Sequence, residues 1–390
     1  MTEKNDIGEN KFQTSSLKDE RKSVKVIISG GGTGGHIFPA IAIANALKKA
    51  VPNVEILFVG AKGKMEMEKV PAAGYKITGL TVAGLQRRLT AKNLLFPFKL
   101  IAGMMQAKKV VKEFMPDVAV GVGGYASGPV LRVASKSGVP CLLQEQNSYP
   151  GITNKILAKK AKTICVAYPG MERFFPAEKI VLTGNPVRQD ITAGVNKKEA
   201  FNHFGLNENK KTILVIGGSL GARSVNNGIK NGLSKLPSDV QLLWQTGKFY
   251  FDDIKEFTQN AGNDNIKVHA FIKQMDYAYA VADVVISRAG ALSVSEIAIA
   301  GKPAIFVPSP NVAEDHQTKN AKVMVDDEAA LMVKDDETDI LISRAEELLS
   351  DSELLKKLST NILKHAKPDA SEKIAEEVLK LAERGTVSKQ

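Results

Sequence analysis

A strand, a glycine-rich turn and a helix follow one another repeatedly along this sequence, and that pattern constrains the fold more than any other feature. The clearest example starts with an apolar run, Ala282–Ile286, and continues through a turn to a short helix over Ala291–Ala300 that ends at Gly301. A second apolar run, Ala304–Val307, follows. Buried parallel strands are apolar throughout and need a helical crossover between them, so the pattern predicts a doubly wound α/β fold.

The start of this helix predicts a ligand site. Its first residues are small, which leaves backbone N–H groups open, and open N–H groups together with the helix dipole attract anions. Glu296 lies within about two turns and is placed to accept hydrogen bonds from sugar hydroxyls, while His316 and Gln317 follow on the next loop. The combination favours a nucleotide sugar; the alternative is an ordinary βαβ unit with a solvated loop.

The same pattern opens the chain. Val24–Ser29 is predicted as a strand, Gly30–Gly35 as a glycine turn and Pro39–Leu47 as a helix. A dehydrogenase needs an acidic residue at the end of the second strand to hold the ribose. That strand, Val54–Val59, is followed by Gly60-Ala61-Lys62, which disfavours a nicotinamide dinucleotide. A simple tight turn remains the alternative for the first glycine loop.

Two residues are candidates for a general base. His36 follows the first glycine turn and has an ordinary pKa of about 6.5, so it can accept a proton near neutral pH; the alternative is a histidine that only holds the loop. Glu145 follows the predicted strand Val139–Leu143 within the polar cluster Gln144–Asn147. It is the second choice, either as the base or as the group that orients a histidine.

The pattern recurs often enough to fill two domains. Asp117–Val122 leads into a second glycine turn, and Lys211–Ile216 leads into a third, Gly217–Ala222. We therefore predict an α/β protein with two doubly wound, Rossmann-like domains that face a cleft. The expected bounds are a disordered extension over residues 1–23, a first domain over 24–185 and a second over 186–390, with the terminal helix free to pack back on the first domain.

The basic residues are concentrated in the first half. Residues 1–185 contain 27 Lys and Arg against 13 Asp and Glu, a net charge of +14, whereas the remainder carries −3. An anionic partner is expected: nucleic acid, acidic lipid or a phosphorylated substrate. Nucleic acid is the weakest of the three, because no aromatic residues alternate with the basic ones to stack on bases.

The stretch from Ala83 to Phe114 combines apolar and basic side chains. It is too short and too charged to span a bilayer, so it is either an interfacial membrane contact or a core helix with solvated ends. The charge of its domain favours the membrane. The apolar residues are Leu94, Leu95, Phe96, Phe98, Leu100, Ile101, Met104 and Met105, and the flanking cations are Arg87, Arg88, Lys92, Lys99, Lys108 and Lys109.

No metal or cofactor is expected. The two cysteines, Cys141 and Cys165, lie in apolar runs without the spacing of metal ligands, and no convincing loop carries an Asp-x-Asp cluster. They are typical of small buried side chains in a reducing compartment.

Seven motifs in order resemble those of the MurG family of glycosyltransferases: GGGTGGH, GGYASGP, EQN, GNPVR, GGSLGA, SRAGALSVSE and HQTKNA, spanning Val24 to about Ala321. The resemblance implies the glycosyltransferase B fold. It implies an inverting transfer of N-acetylglucosamine from UDP-N-acetylglucosamine to undecaprenyl-pyrophosphoryl-N-acetylmuramoyl-pentapeptide, converting lipid I to lipid II in peptidoglycan synthesis. It also implies a peripheral protein at an anionic membrane surface, the cytoplasmic face of the inner membrane. The polar extension before Ser23 and the loop Asn311–Asp315 depart from the shared pattern.

The resemblance also assigns substrate contacts. It places Thr33, Gly34 and Gly35 near the diphosphate and acceptor, and Asn147 and Arg188 on the donor. It places Ser219 on the diphosphate and Ile272 beside the uracil. Glu296 is assigned to the ribose and Gln317 to the transferred sugar. The nucleotide site consists of Ala291, Leu292, Ser293, Val294, Ser295 and Glu296.

Three alternatives are weaker. An enzyme of the same fold that glycosylates diacylglycerol or epimerises UDP-N-acetylglucosamine would not be expected to keep GGYASGP and EQN together. A catalytically silent nucleotide-sugar subunit should lack a titratable residue at the first glycine turn, where this chain has His36. A nicotinamide oxidoreductase lacks its ribose-binding acid.

Overall fold

The computed structural model describes residues 23–82, 96–188, 191, 194–218 and 220–387. In this part of the chain, two separate sheets form, one in each half of the sequence, and every strand pairing in them is parallel. Successive residues of a central strand enter the cores on opposite faces of the sheet: Val26 and Ile28 pack into one apolar cluster and Ile27 into another. This double burial explains why the strands are apolar throughout rather than alternating.

The N-terminal sheet has seven strands in the order β3-β2-β1-β4-β5-β6-β7. Its strands are β1 (Lys25–Ser29), β2 (Glu55–Ala61), β3 (Lys76–Leu80), β4 (Val118–Gly121), β5 (Cys141–Glu145), β6 (Thr163–Val166) and β7 (Ile180–Leu182). Its crossover helices are α1 (Gly34–Ala50), α2 (Glu66–Ala72), α3 (Phe96–Phe114), α4 (Ser127–Lys136) and α5 (Ile152–Leu157).

The C-terminal sheet has six strands in the order β10-β9-β8-β11-β12-β13. They are β8 (Lys211–Ile216), β9 (Val240–Gln245), β10 (Ile266–His269), β11 (Val284–Ser287), β12 (Ala304–Phe306) and β13 (Leu331–Met332). The helices of this half are α6 (Lys197–Phe204), α7 (Arg223–Gly232), α8 (Phe251–Asn260), α9 (Met275–Val281), α10 (Ala291–Ala300), α11 (His316–Asp326), α12 (Leu341–Ser350) and α13 (Ser352–Leu363).

Each sheet has one point at which the strand order reverses. In the N-terminal sheet this point lies between β1 and β4, and in the C-terminal sheet it lies between β8 and β11. The two strands at such a point send their crossovers to opposite faces, which opens a crevice beyond their carboxyl ends where α/β proteins bind ligands. All four of these strands lead into a turn that contains glycine, so the glycine motifs lie at the two crevices.

The last helix belongs spatially to the first half. α14 (Ala370–Val387) packs along α1 and contributes Ile374, Val378 and Leu381 to the apolar cluster that contains Val26. The chain thus passes between the halves twice, once before α6 and once after α13. The bounds given above for the two domains stay a prediction.

Two local expectations were wrong. The first helix begins at Gly34 rather than at Pro39, because Thr33 takes the extended conformation of an N-cap and Pro39 is accommodated inside the helix. His316 and Gln317 are the first residues of α11 rather than part of a loop. Elsewhere the predicted strand ends differ from the observed ones by one or two residues.

Candidate active site between the two sheets

The first glycine loop holds His36 in the first turn of α1. The backbone N–H of His36 donates to the carbonyl of Thr33 at 3.1 Å. Its Nδ1 lies 3.1 Å from the Gly31 carbonyl oxygen and 3.3 Å from the Thr33 hydroxyl. Thr33 and Gly35 are exposed at this turn and Gly34 is half-buried, so this part of the loop is open to a ligand.

The environment of His36 lowers its pKa. Burial is the largest cause, and the proximity of His316 acts in the same direction. The hydrogen bond to Gly31 and the negative charge of Glu66 oppose it by favouring the protonated ring. The net effect keeps the imidazole neutral, and therefore able to accept a proton, below the pH at which an ordinary histidine becomes charged.

The second glycine loop packs directly against the first. A Cβ at Gly124 would lie 2.3 Å from the Gly31 carbonyl oxygen, and one at Gly123 would lie 2.8 Å from Nε2 of His36. Both glycines have positive φ, +93° at Gly123 and +87° at Gly124. Only glycine gives this close approach without strain, so the two loops form one surface at the crevice between β1 and β4.

Glu145 is buried and surrounded by donors from its own loop. Its oxygens accept hydrogen bonds from the Asn147 backbone N–H at 3.0 Å, the Asn147 side chain at 3.3 Å, the Gly151 N–H at 3.3 Å and the Asn154 amide at 2.8 Å. Burial raises the pKa of Glu145, and these hydrogen bonds oppose the rise. None of these bonds involves a histidine. The geometry is that of a residue that shapes the Asn147 loop.

The predicted nucleotide site lies at the start of α10. Gly290 occupies the N-cap and has no side chain with which to cap the helix. Ser295 accepts a hydrogen bond from Asn185 at 3.0 Å, and Glu296 accepts one from the Tyr279 hydroxyl at 3.2 Å. Ala291 and Val294 are buried, whereas the side chains of Leu292, Ser293, Ser295 and Glu296 are half-buried. The helix start thus offers backbone N–H groups beside a carboxylate.

Arg188 contacts the loop after β10 that contains Ile272. A guanidinium N–H of Arg188 donates to the Lys273 carbonyl at 2.9 Å, and the backbone N–H of Ile272 donates to the Gln245 side chain at 2.8 Å. The Ile272 side chain is only 2% exposed and packs in the C-terminal core. A base at this position would therefore meet the backbone of Ile272 rather than its side chain.

Gln317, which was assigned to the transferred sugar, lies at the start of α11. The Gln317 side-chain oxygen accepts a hydrogen bond from the Ser309 N–H at 2.9 Å, which fixes its amide at the start of α11. Ser219 lies outside the described residues. Among the side chains that the structure does describe, no group of three or more His, Cys, Asp and Glu is arranged to hold a metal ion.

Two asparagines connect the halves across the cleft. Asn320 of α11 accepts hydrogen bonds from the backbone and hydroxyl of Ser148, and it donates to the Asn147 side chain at 3.2 Å. Asn185 donates to the Gln146 carbonyl at 3.0 Å and to Ser295. These bonds place the EQN loop of the first half against α10 and α11 of the second.

Three parts of the site were missed from the sequence. Glu66 is 1% exposed and binds the first glycine loop. Asn320 belongs to the motif HQTKNA and connects the two halves, but only Gln317 of this motif is predicted as a site residue. Arg288 donates to the carboxylate of Asp335 and to the Ser224 hydroxyl, which ties the turn before α10 to the start of α7. For Asn320 and Arg288, membership of a motif was an available signal; Glu66 stands in an ordinary charged stretch.

The comparisons with known proteins identify relatives over almost the whole chain. The glycosyltransferase family 28 N-terminal domain matches residues 26–166, and the family 28 C-terminal domain matches residues 212–374. A UDP-N-acetylglucosamine–N-acetylmuramyl-(pentapeptide) pyrophosphoryl-undecaprenol N-acetylglucosamine transferase of Flavobacterium psychrophilum is 55% identical over 362 residues, which are 92% of this chain and 98% of that protein.

Solved structures agree on the architecture. The crystal structure of Acinetobacter baumannii MurG has a TM-score of 0.75 and 30% sequence identity, and the match covers 92% of this chain and 99% of that one. A UDP-GlcNAc 2-epimerase from Neisseria meningitidis, bound to UDP-GlcNAc, has a TM-score of 0.65 at 14% identity, with 92% and 100% covered, and shows a shared fold alone. The predicted glycosyltransferase B fold is confirmed.

Proposed function

Because this chain belongs to the MurG family, within glycosyltransferase family 28, we propose that it transfers N-acetylglucosamine from UDP-N-acetylglucosamine to undecaprenyl-pyrophosphoryl-N-acetylmuramoyl-pentapeptide. This reaction converts lipid I to lipid II in peptidoglycan synthesis. The observation that carries the proposal is the 55% identity to a transferase so named, over 98% of its length. The site supports it, because two glycine-lined crevices face each other across a cleft bridged by Asn320 and Asn185.

The C-terminal crevice binds the donor in this proposal. The uncapped start of α10 directs backbone N–H groups and the positive end of the helix dipole at the diphosphate of UDP. Glu296 binds the ribose hydroxyls, with its position fixed by Tyr279. Arg188 and the backbone of Ile272 border the nucleoside, and Gln317 reaches the transferred sugar. Negative charge that develops on the leaving UDP is stabilised by this helix start.

His36 is the general base of the transfer. The acceptor hydroxyl oxygen forms a bond to C1 of the sugar while the bond from C1 to UDP breaks, and the configuration at C1 inverts. The hydroxyl proton passes to Nε2 of His36, and UDP leaves with the electron pair. We prefer His36 to Glu145 because Glu145 is buried and four donors already occupy its oxygens.

α3 supports the proposal that this half meets a membrane. Phe98, Ile101 and Met105 are 70%, 58% and 69% exposed, and their helical spacing places them on one face. On other faces of the helix, Ala107 and Val111 are buried and Met104 packs against the core. None of the helices in the described ranges is long and apolar enough to cross a bilayer.

An interfacial contact with an anionic membrane follows from this arrangement. Lys108 and Lys109 are exposed on the same helix, and the half of the chain that carries it has a net charge of +14. We propose the cytoplasmic face of the inner membrane, where the nucleotide sugar and the lipid acceptor are both available. Leu94, Leu95, Arg87, Arg88 and Lys92 lie outside the described residues, and the side chain of Phe96 is likewise not described.

The test is whether purified protein releases UDP from UDP-N-acetylglucosamine only when lipid I or a short-chain analogue is added. Stoichiometric formation of a disaccharide lipid alongside UDP would support the proposal. Conversion of the donor to UDP-N-acetylmannosamine without an acceptor would identify an epimerase instead. A donor that binds but stays unchanged in all conditions would indicate a silent nucleotide-sugar subunit.

A further inference from the structure

We propose that Glu66 is a positioning residue for His36, acting through the Gly31–Gly32 peptide to hold the imidazole with its proton on Nδ1 and with Nε2 free. The inference rests on the proposed function only in taking His36 as the base. The arrangement of the groups stands on its own geometry.

The buried carboxylate of Glu66 binds the backbone of the first glycine loop. Glu66 lies at the start of α2 and is 1% exposed. One carboxylate oxygen accepts a hydrogen bond from the Gly32 N–H at 2.9 Å, and the other accepts one from the Ala61 N–H at 3.0 Å. Because both partners are N–H donors, the side chain must present an acceptor at each oxygen, as an ionised carboxylate does.

The loop leaves space for this carboxylate only because it contains glycine. A Cβ at Gly31 would lie 2.3 Å from a carboxylate oxygen of Glu66, and a Cβ at Gly60 would lie 2.6 Å from its Cγ. Gly31 also has a φ of +148°. The glycines therefore bring backbone against the Glu66 side chain, whereas the function usually assigned to such loops is to bring backbone against a phosphate.

The Gly31 carbonyl and the Gly32 N–H belong to one planar peptide unit. Glu66 binds the N–H end of that unit, and Nδ1 of His36 lies 3.1 Å from the oxygen at the other end. A carbonyl oxygen can only accept a hydrogen bond, so Nδ1 must carry a proton and donate it. A carboxylate that accepts from the N–H end polarises the peptide and strengthens the carbonyl as an acceptor.

The consequence is a defined direction for proton transfer. With the proton on Nδ1, Nε2 of neutral His36 carries a lone pair, and this atom faces the second glycine loop at Gly123. A proton taken from an acceptor hydroxyl arrives on Nε2 and forms an imidazolium, while Nδ1 keeps its own proton. The carboxylate of Glu66 stabilises the imidazolium across the peptide, as a buried carboxylate stabilises the histidine of a hydrolase triad.

The charged neighbours of His36 determine how the arrangement responds to pH. Glu66 from α2 favours the protonated ring, and His316 from α11 disfavours it; burial works in the same direction as His316. Burial and His316 lower the pKa of His36, and the negative charge of Glu66 counteracts them. Replacing Glu66 by a neutral residue removes this effect. The pKa of His36 should then fall further.

The direct test is ¹⁵N NMR of the histidine side chains in the full chain, without substrate. The sequence has five histidines, and His36→Gln identifies the signals of His36. We expect the neutral ring to be the Nδ1–H tautomer, because Nδ1 donates to Gly31. A neutral ring protonated at Nε2 would overturn the proposal, and the tautomer itself is observed in the unaltered protein, since His36→Gln serves only to assign the signals.

The variant test is Glu66→Gln, with Glu55→Gln as the matched control. Glu55 is exposed at the opposite end of β2, so its replacement removes the same charge far from the loop. In folded Glu66→Gln, we expect the pKa of His36 to fall, because the negative charge that favours the protonated ring is gone. We expect kcat at its pH-independent maximum to fall about threefold to tenfold, with the KM for the donor within about twofold.

The possible failures can be told apart. A folded Glu66→Gln protein that loses activity while the His36 pKa is unchanged would make Glu66 a structural residue only and overturn the proposal. If the unaltered chain transfers no sugar, the proposed function fails, but the tautomer and the pKa shift still decide the relationship between Glu66 and His36. Glu55→Gln should match the unaltered chain in both measurements.

Discussion

The side-chain oxygen of Asn320 lies 3.0 Å from the backbone nitrogen of Ser148 and 3.1 Å from its hydroxyl, and all three atoms are buried. The two residues are 172 positions apart and belong to different sheets. A single amide therefore satisfies two donors of the EQN loop and connects it to α11, the helix that begins with His316 and Gln317.

Replacing Asn320 by Ala should weaken both stability and activity. The Ser148 donors would remain buried without a partner, and each such group costs about 1–3 kcal/mol. We expect the free energy of unfolding in urea to fall by about 2 kcal/mol or more and kcat/KM to fall with it, because the EQN loop loses its contact with α11. Asn231→Ala, which removes an exposed bond to Asp339, is the control, and equal effects in the two variants would contradict the prediction.

Replacing Glu296 by Ala should weaken binding of UDP-N-acetylglucosamine at least tenfold. A carboxylate that accepts hydrogen bonds from sugar hydroxyls is lost, and hydrogen bonds to charged groups contribute about 1.5–3 kcal/mol each. Isothermal titration calorimetry measures the dissociation constant directly. Glu353→Ala removes an exposed carboxylate from the same half and should leave affinity unchanged. Unchanged affinity in folded Glu296→Ala protein would exclude Glu296 from the donor site.

Replacing His36 by Gln should lower kcat about 10²–10⁴-fold while donor affinity stays within about twofold. The pH profile gives a second test. The base must be neutral to accept a proton, and burial lowers its pKa, so activity should persist below the ordinary histidine pKa of about 6.5 and fall only as the pH drops through the lowered value. If the acidic limb survives in His36→Gln while Glu145→Gln removes it, the two residues exchange roles.

Replacing Gly123 by Ala should disturb His36 specifically. The new Cβ would lie 2.8 Å from Nε2, and the positive φ of +93° adds backbone strain of about 1–2 kcal/mol. Gly138→Ala is a matched control, since Gly138 has a φ of +78° and nothing lies within 4 Å of its Cβ position. Both variants should lose stability in thermal unfolding, but only Gly123→Ala should lose more than tenfold in kcat. Equal activity in the two would show that Nε2 has no role at this contact.

Replacing Phe98 and Ile101 together by Ser should reduce binding to vesicles that contain anionic lipid. The basic residues contribute an electrostatic part of the binding free energy, about 1 kcal/mol for each residue near the membrane surface, and salt weakens this part. Buried apolar area contributes about 25 cal/mol per Å², which salt does not screen. Cosedimentation should therefore show that the double variant loses mainly the salt-resistant part.

Two controls bear on this membrane prediction. Phe249→Ser removes a side chain that is 78% exposed in the other half and should not change vesicle binding. Turnover of a soluble acceptor analogue should be unchanged in the Phe98 and Ile101 double variant. Equal binding of the unaltered protein to neutral and anionic vesicles would contradict the electrostatic contribution, and unfolding of the double variant would show that the two side chains stabilise the core.

The sequence predicted the strands and the glycine turns that follow them well because both depend on local patterns. Buried parallel strands are short apolar runs, and glycine is needed where the two loops at β1 and β4 approach each other. The first residue of a helix was predicted less accurately than the strands were. Pro39 is typical of a first helical position, but the extended conformation of Thr33 begins the helix five residues earlier.

The bonds that complete the site were not predictable in the same way. Glu66 and Gly32 are 34 residues apart, and Ser148 and Asn320 are 172 apart, so no local spacing relates them. The absence of an acid directly after β2 argued against a ribose-binding site, but the acid that follows within five residues binds the backbone N–H groups of Gly32 in the first glycine loop and of Ala61 at the end of β2 instead.

The position of α14 has a consequence for how the protein is made. The apolar cluster that contains Val26 and α1 is completed by Ile374, Val378 and Leu381, which are synthesised only after the whole C-terminal sheet. A ribosome therefore releases the N-terminal sheet long before the helix that covers one of its faces. Until α14 has been synthesised, that face of the nascent chain stays exposed to water and to chaperones, and a chain that stopped before α14 would leave its first half, rather than its second, without part of its core.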